Sequence, residues 1–208
     1  MSNRPGLRDR KKEATRLAIS NVATTLFVER GFDNVSVADI AHEADVSRKT
    51  VFNYFPRKED LVFDREEEGR AMVREALVCR GAHSPIGAFQ TLMRTLLETQ
   101  HPVFRITERP IQFWRTVSES SALTARAREL QVTLADDLAG LLADAAGRPR
   151  SDPDARLAAT MLMATLVVAY GEALRVFREN REPVAAFAAV LDRGFAGVDA
   201  ALAGTPYV

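Results

Sequence analysis

Cysteine is almost absent from the sequence, and this shortage excludes several kinds of site. Cys79 is the only cysteine among the 208 residues, so the chain cannot form an intrachain disulfide or a thiolate metal site. The amino-terminal segment also lacks the apolar stretch that a secretory signal peptide needs. We therefore expect a protein of the reducing cytoplasm.

Long hydrophobic runs and strand-like alternation are scarce as well. The longest uncharged run, residues 157–171, is too short and too rich in alanine and threonine to span a bilayer comfortably, so it predicts a helix buried in protein. Apolar residues recur at helical spacing almost everywhere, and no stretch combines period-two alternation with β-branched residues. The sequence thus predicts a soluble, all-α protein without a membrane partner.

The sequence has no overall excess of positive or negative charge, although the charged residues are unevenly distributed. The formal net charge is zero, yet residues 1–58 hold eleven Lys and Arg against seven Asp and Glu, and the remainder is slightly acidic. This asymmetry permits an anionic partner at the amino-terminal end.

Capping residues, glycines and prolines predict about nine helices. A long first helix begins near Arg8 and ends at Gly31, Ser36 and Ser47 each cap a short helix, and Pro56 stops the third. We expect this first part of the chain to fold as a compact three-helix unit.

Longer helices are predicted in residues 58–208, which we call the body. The fourth helix should run without a break from Lys58 to near Gly81, and the fifth from Ser84 to about His101. A proline-broken segment over 102–120 should hold one short helix, and further helices should cover about 122–146, 154–180 and 183–202.

Residues 1–57, which we call the head, are predicted to form a helix-turn-helix DNA-binding domain with a basic amino-terminal arm. Two short helices joined by a tight turn behind a longer helix can lay one helix into the major groove of DNA. On the third helix, Val51 and Phe55 share the side that faces the core. The opposite side carries Arg48, Lys49, Phe52 and Asn53.

This outward patch has the chemistry of base recognition. Arginine can donate two hydrogen bonds to guanine, asparagine can pair in the same way with adenine, and a ring edge can pack on a thymine methyl group. Surface cations are often only solvated, so the outward ring of Phe52 is the observation that strengthens the DNA-binding interpretation.

Hydroxyl groups near helix starts offer contacts to DNA phosphates. Helix amino termini favour anions, and Ser36, Ser47 and Thr50 lie at two of them, although both serines are explained equally well as helix caps. Lys58 can reach the DNA backbone as a point charge. Cations of the arm can add phosphate or minor-groove contacts, and these are Arg4, Arg8, Arg10, Lys11 and Lys12.

The run GFDNVSVADIAHEADVSRKTVFNYFPRKEDL, residues 31–61, resembles the DNA-binding head of TetR-family transcriptional regulators. The resemblance implies a recognition helix over residues 48–55. It implies base contacts from Arg48, Lys49 and Asn53, and phosphate contacts from Ser36, Thr50, Tyr54 and Lys58. The sequence departs from the family pattern at two positions. Asp45 replaces a turn glycine, and Phe52 replaces a tyrosine whose hydroxyl often meets a phosphate.

The resemblance also implies that the body binds a small effector and forms a homodimer. Aromatic residues and methionines around a proline-broken segment suit an adaptable apolar cavity, although any core needs the same residues. The candidate pocket residues are Phe89, Met93, Leu96, Phe104, Phe113, Trp114, Val117, Met161 and Thr165.

The last two helices carry a broad apolar face that predicts a four-helix dimer interface. The same face could instead pack within its own subunit, and the sequence leaves both interpretations open. The candidate interface residues are Leu166, Tyr170, Leu174, Phe187, Leu191 and Phe195.

One motif makes an all-α enzyme an alternative interpretation. Glu98 and His101 form an E-x-x-H step of the kind found in di-iron bundles, but such a site needs a second copy and further carboxylates. No phosphate-binding glycine loop, nucleophile elbow or zinc motif is present. We predict no catalytic site, no metal and no cofactor.

The prediction is therefore a ligand-responsive, one-component transcriptional regulator, more a repressor than an activator. It would bind double-stranded operator DNA of pseudo-palindromic sequence as a homodimer and be released by a small, largely apolar effector. An architectural DNA-binding protein without effector is a further alternative, which the acidic, aromatic-rich body disfavours.

Overall fold

The structure is a computed structural model that describes residues 6–101, 117 and 119–208. Its regular elements are the helices α1 Leu7–Arg30, α2 Val37–Glu43, α3 Arg48–Tyr54, a 3-10 helix Lys58–Leu61, α4 Glu66–Val78, α5 Pro85–Glu98, α6 Ser121–Ala145, α7 Pro153–Arg178 and α8 Pro183–Ala201. Within those described ranges no strand occurs, and the predicted all-α class is confirmed.

The chain forms two compact units. The first takes the residues up to Asp64 and a segment that ends at Arg126, and the second takes the remainder. The α6 segment is held in the first unit by Arg126, whose guanidinium lies 2.9 Å from the Asp60 carboxylate. The units thus divide at Asp64, later in the chain than the division after residue 57 that the sequence suggests, and the functional division stays a prediction.

Local capping explains why the short helices of the head begin and end where they do. The Asp39 amide donates to the Ser36 hydroxyl oxygen at 3.2 Å, while the Ser36 amide donates to the Asp39 carboxylate at 2.8 Å, which completes a capping box. The Thr50 amide donates to the Ser47 oxygen at 3.0 Å and starts α3 in the same way. Asp45 has a φ of 50°, so the left-handed turn expected there is confirmed.

The arm is not wholly extended, because α1 already begins at Leu7. Arg10, Lys11 and Lys12 are therefore helical, and all three are exposed. Arg4 lies outside the described residues, and of the Arg8 side chain the structure describes nothing.

The predicted fourth helix is broken in two, which corrects the expectation of an unbroken helix from Lys58. A 3-10 helix over Lys58–Leu61 is followed by a turn, and α4 starts only at Glu66. Side chains of α1 hold this turn: Ser20 donates to the Asp64 carboxylate at 2.5 Å, and the Arg16 guanidinium donates to the Asp64 carbonyl. These contacts between distant residues outweigh the local helical preference of the segment.

The core of the second unit is built from α4, α5, α6, α7 and α8. The α7 and α8 helices pack closely because Gly194 leaves room for the Thr165 side chain, which would overlap with any Cβ at that position. Gly171, by contrast, is exposed and has open space where a Cβ would lie. Of these two glycines, only Gly194 allows a close approach of the helices.

The α7 helix is long and apolar enough to cross a membrane by length and composition, and one third of its most apolar window is buried. The expectation of a helix buried in protein is therefore only partly met. Its other face exposes the large apolar residues Leu157, Val167 and Val168.

Candidate DNA-binding surface and body cavity

The α3 helix is amphipathic in the sense that the sequence predicts. Val51 and Phe55 are buried, together with Ile40 and Ala41 of α2, and they hold α3 onto the head. Across the helix, a group of exposed side chains forms one surface, which we call the α3 outer face; its members are Arg48, Lys49, Phe52 and Asn53. The Phe52 ring is 50% exposed. The structure thus brings the four predicted base-contacting residues together.

The hydroxyl groups beside this face are already used in local hydrogen bonds. The Ser36 hydroxyl donates to the Asp39 carboxylate at 2.6 Å, and the Ser47 and Thr50 hydroxyl oxygens lie 2.8 Å apart. All three residues remain at the surface, and Tyr54 is half-buried. The capping role of both serines is therefore present in the structure, and their phosphate role stays a prediction.

The capping box also sets the charge state of its acid. The hydrogen bonds from the side chain and backbone of Ser36 lower the pKa of Asp39 below its ordinary value of 3.8, because they stabilise the carboxylate. The negative charge of Asp39 therefore persists at the start of α2, where it complements the helix dipole.

Lys58 points into the head and not towards solvent, a placement that the sequence does not predict. Its ammonium group donates to the Phe32 carbonyl at 2.5 Å and lies 4.0 Å from the centroid of the Phe32 ring and 5.7 Å from that of Phe27. Burial among these groups lowers the pKa of Lys58, and the nearby carboxylate of Asp33 partly offsets the effect. A phosphate contact from Lys58 would require the ammonium group to leave this position.

The second unit contains a cavity of about 210 Å³ between α4, α5, α6 and α7. Phe89, Met93 and Leu96 line it, as the sequence predicts. Its other apolar lining residues are Val73, Leu134, Leu138, Leu141, Met163 and Leu166. The three leucines of α6 were not among the predicted residues, although their spacing of four and three residues marks one helix face and could have indicated them.

Several predicted pocket residues lie elsewhere. Met161 packs against the buried core, and Thr165 packs against Gly194, whereas Met163 and Leu166 face the cavity. Their positions differ because successive residues of a helix point about 100° apart. Val117 is buried and belongs to the first unit, and the predicted residues Phe104, Phe113 and Trp114 lie outside the described residues.

Charged side chains gather at one end of the cavity, where Arg65, Glu66, Arg70 and Asp137 lie. The Arg70 guanidinium donates to the Glu66 carboxylate one turn earlier in α4, and its Nη1 lies 3.0 Å from the Asp137 carboxylate of α6. Its third donor group, Nε, is buried and has no hydrogen-bond partner in the part of the chain that the structure describes. The described lining is thus apolar except at one charged end, where Arg70 lies.

The predicted dimer residues mostly face inward, which corrects their assignment to a surface. Phe187, Leu191 and Phe195 are at most 1% exposed in the single chain, and the Tyr170 ring packs 5.0 Å from the Phe187 ring. Leu166 lines the cavity, and Leu174 is half-buried. Tyr170 and Phe187 thus join α7 to α8 within one subunit, whereas the Phe195 ring lies 6.5 Å from the Phe89 ring of α5 in the core of the second unit.

The opposite sides of these helices form a different apolar surface, which we call the α7–α8 outer face. Leu157, Val167 and Val168 are 47%, 49% and 59% exposed on α7. The small residues of α8 beside them are also exposed or half-exposed, and they are Ala185, Ala186, Ala189, Ala196 and Gly197. A groove on this face is lined by apolar residues such as Val168 and Val190 and by the charged residues Glu172, Arg181 and Arg193.

Possible metal ligands are dispersed in the same structure. Among the residues described, no group of three or more His, Cys, Asp or Glu side chains is placed to hold a metal ion. Glu98 and His101 of the E-x-x-H step lie at the end of α5, where α5 finishes and the chain turns at Gln100.

Comparison with known proteins finds relatives of the head. Residues 19–64 match the family described as "Bacterial regulatory proteins, tetR family". The HTH-type transcriptional regulator LuxR of Vibrio harveyi is 44% identical over 59 residues, which cover 25% of this chain and 29% of that protein. The chain thus spans less than a third of the length of the curated relatives it matches. The predicted resemblance of the head to TetR-family transcriptional regulators is confirmed.

Solved structures share the fold over most of the chain. NalD, the secondary repressor of the MexAB-OprM multidrug efflux pump in Pseudomonas aeruginosa, matches with a TM-score of 0.55 at 20% identity, over 90% of this chain and 97% of that chain. FadR of Thermus thermophilus, a TetR-family transcriptional repressor solved in complex with lauroyl-CoA, matches with a TM-score of 0.54 at 24% identity, over 88% and 94%. At these identities the likeness establishes the fold, a helix-turn-helix head followed by a helical body.

Proposed function

Because the chain carries the DNA-binding domain of the TetR family of bacterial regulatory proteins, we propose that it is a cytoplasmic transcriptional regulator, acting as a repressor. It binds a pseudo-palindromic operator as a homodimer and is released by a small effector. The observation that carries the proposal is the α3 outer face, where two cations, an amide and an exposed ring stand together on a helix whose other side is buried.

Each member of the α3 outer face has a distinct role in this proposal. Arg48 and Asn53 read base edges, since their side chains can donate and accept in pairs. Lys49 contacts a base or a neighbouring phosphate. Phe52 packs on a thymine methyl group or a sugar, because its ring has no hydroxyl to offer a phosphate.

The homodimer forms through the α7–α8 outer face. Two helices from each subunit would make a four-helix interface, and a two-fold axis lets one apolar surface pair with itself. The exposed valines of α7 support this surface, because an apolar face along a long helix is costly to leave in water. The same contact accounts for the apolar character of α7 without a membrane.

Effector binding occurs in the cavity of the second unit. A molecule that binds the DNA-free conformation more tightly than the DNA-bound one shifts the population towards release. The apolar lining of the cavity supports a largely apolar effector, and the lauroyl-CoA complex named for FadR is an example of a ligand held on this fold.

Selection of bound sequences from a random DNA library tests the proposal. We expect enrichment of a palindromic consensus with two half-sites, since two α3 helices related by a two-fold axis read the same sequence twice. The Arg48→Ala and Asn53→Ala double variant serves as the control and should enrich no consensus. Absence of enrichment with the unaltered protein would exclude sequence-specific regulation.

A further inference from the structure

We propose that the cavity of the second unit binds a small, uncharged aromatic molecule with one hydrogen-bond acceptor, which Arg70 Nε recognises. The inference rests on the proposed function, because it names the chemical class of the effector that the regulator would sense. Three features support it: the volume of the cavity, its lining, and the buried Arg70 Nε, which has no hydrogen-bond partner among the described residues.

Volume limits the size of the ligand. An apolar cavity of about 150 Å³ holds benzene, and drug-sized ligands occupy about 300–1,000 Å³. The cavity of about 210 Å³ lies between these values, so it admits a molecule somewhat larger than one benzene ring. A long acyl chain or a large multi-ring compound does not fit the cavity as it stands.

The lining favours an aromatic ring. Phe89 contributes a ring and Met93 and Met163 contribute thioethers, and sulfur atoms make favourable contacts with ring edges. Leucines from α6 complete the apolar wall. A flat aromatic molecule can therefore contact a ring and two sulfur-bearing side chains at once.

The hydrogen bonds that Arg70 already makes favour a ligand with a hydrogen-bond acceptor. Two of its nitrogen atoms are engaged by Glu66 and Asp137, and its Nε is buried without a partner among the described residues. A buried donor without a partner carries a cost that a ligand acceptor removes without breaking any existing bond. A ligand donor would instead have to compete with Arg70 for the two carboxylates.

Charge balance selects an uncharged ligand. Among the lining residues that the structure describes, Arg65 and Arg70 are equal in number to Glu66 and Asp137, so these residues carry no formal excess of either sign. A charged group entering the apolar space would lose its hydration without a net opposite charge to compensate. A ketone or ether oxygen meets the requirement, whereas a carboxylate or an ammonium group does not.

Four monosubstituted benzenes of nearly equal shape test the assignment. They are acetophenone, which has a neutral acceptor, 2-phenylpropene, which has none, benzoate, which is an anion, and benzamidine, which is a cation. Their affinities for the DNA-free protein are measured by calorimetry. We expect acetophenone to bind at least about tenfold more tightly than either charged probe, since each charged group must be desolvated.

The Arg70→Met variant isolates the hydrogen bond. We expect the affinity ratio of acetophenone to 2-phenylpropene to fall about tenfold, because only the first compound uses the Nε donor. The ratio is taken within one protein, so a partial loss of folded protein cancels. Arg94→Met is the matched control: Arg94 pairs with Asp192 outside the cavity, and the ratio should not change.

Three results would overturn the proposal: no binding of any neutral probe, tighter binding of a charged probe, or an unchanged ratio in Arg70→Met. If Arg70→Met does not fold, the order of the four affinities in the unaltered protein still tests the proposal. Failure of the regulator proposal is separate, since it appears as absent operator binding in the DNA selection while the probe affinities keep their expected order.

Discussion

The side chains of α3 divide between core and solvent because a helix repeats every 3.6 residues. That repeat is visible in the sequence, so the exposure of Arg48 and Phe52 and the burial of Val51 could be predicted from it. The position of Lys58 could not. Its flexible side chain turns towards Phe27 and Phe32, which are distant in sequence and come near it only through the fold.

Substitution of Arg48 should alter sequence preference more than overall affinity. We expect Arg48→Ala to lose about 1–3 kcal/mol of discrimination at one position in each half-site, because a paired hydrogen bond to one base edge is removed. Titration against a panel of operators with single base changes measures this. The exposed body residue Arg74 provides the control Arg74→Ala, and equal weakening on every sequence would assign Arg48 to the DNA backbone.

Substitution of Lys58 should lower the stability of the fold. We expect Lys58→Met to reduce the free energy of unfolding by about 1–2 kcal/mol, because it removes a hydrogen bond to a carbonyl and the contacts of a cation with two rings. Denaturant titration measures the change, and Lys49→Met, on the α3 outer face, should stay within about 0.5 kcal/mol of the unaltered protein. Unchanged stability with weakened DNA binding would instead support the predicted phosphate contact.

Acidification should remove the contribution of the capping box. Because the pKa of Asp39 is lowered in the folded protein, its carboxylate stabilises the fold at pH values above 3.8, and this stabilisation is lost as the pH falls through the lowered pKa. The melting temperature of Asp39→Asn should therefore lie below that of the unaltered protein at neutral pH and approach it in acid. A difference that is constant over pH would show that the charge of Asp39 is not involved.

At the scale of helices, the sequence predicts the features that depend on local interactions and misses those that depend on contacts between distant residues. Helix ends agree with the sequence because caps such as Ser36, Ser47 and Ser84 act within four residues. The break before α4 depends on contacts from α1, and no local signal marks it. The cavity shows the same limit, since the direction in which Met161 or Met163 points is set by the rotation of α7 against its neighbours.

Two glycines of α8 offer a matched test of helix packing. We expect Gly194→Ala to destabilise the protein by about 1–3 kcal/mol, because the added methyl group overlaps with the Thr165 side chain of α7. Gly197→Ala has open space and should be neutral or stabilising by about 0.5–1 kcal/mol through higher helix propensity. Chemical denaturation compares the two, and equal effects would contradict the close approach at Gly194.

At the scale of the whole molecule, the helices α7 and α8 together have two apolar faces that need burial. The larger side chains were predicted to form the dimer, but the structure buries Phe187, Leu191 and Phe195 in the core of a single chain. An apolar pattern shows that a face needs burial and not what buries it. The face that remains for a partner is the one with small residues and exposed valines.

A charge on that face should separate the subunits. We expect Val168→Asp to produce monomers, because a two-fold interface would bring the carboxylate of each subunit into an apolar contact. Sedimentation equilibrium measures the mass, and operator affinity should fall with dimer content. Val132→Asp is the control, since Val132 is also exposed but lies on α6. Monomers in both variants, or dimers in both, would contradict the assignment of the dimer interface to the α7–α8 outer face.

The half-exposed ring of Phe52 has a consequence for ionic strength. Each phosphate contact by a cation releases counterions, so its contribution to binding weakens as salt is added. A ring that packs on a methyl group or a sugar releases none, and the hydrophobic part of binding is not weakened in that way. The share of operator affinity that Phe52 contributes should therefore persist in concentrated salt, while the share that cations contribute through phosphate contacts declines.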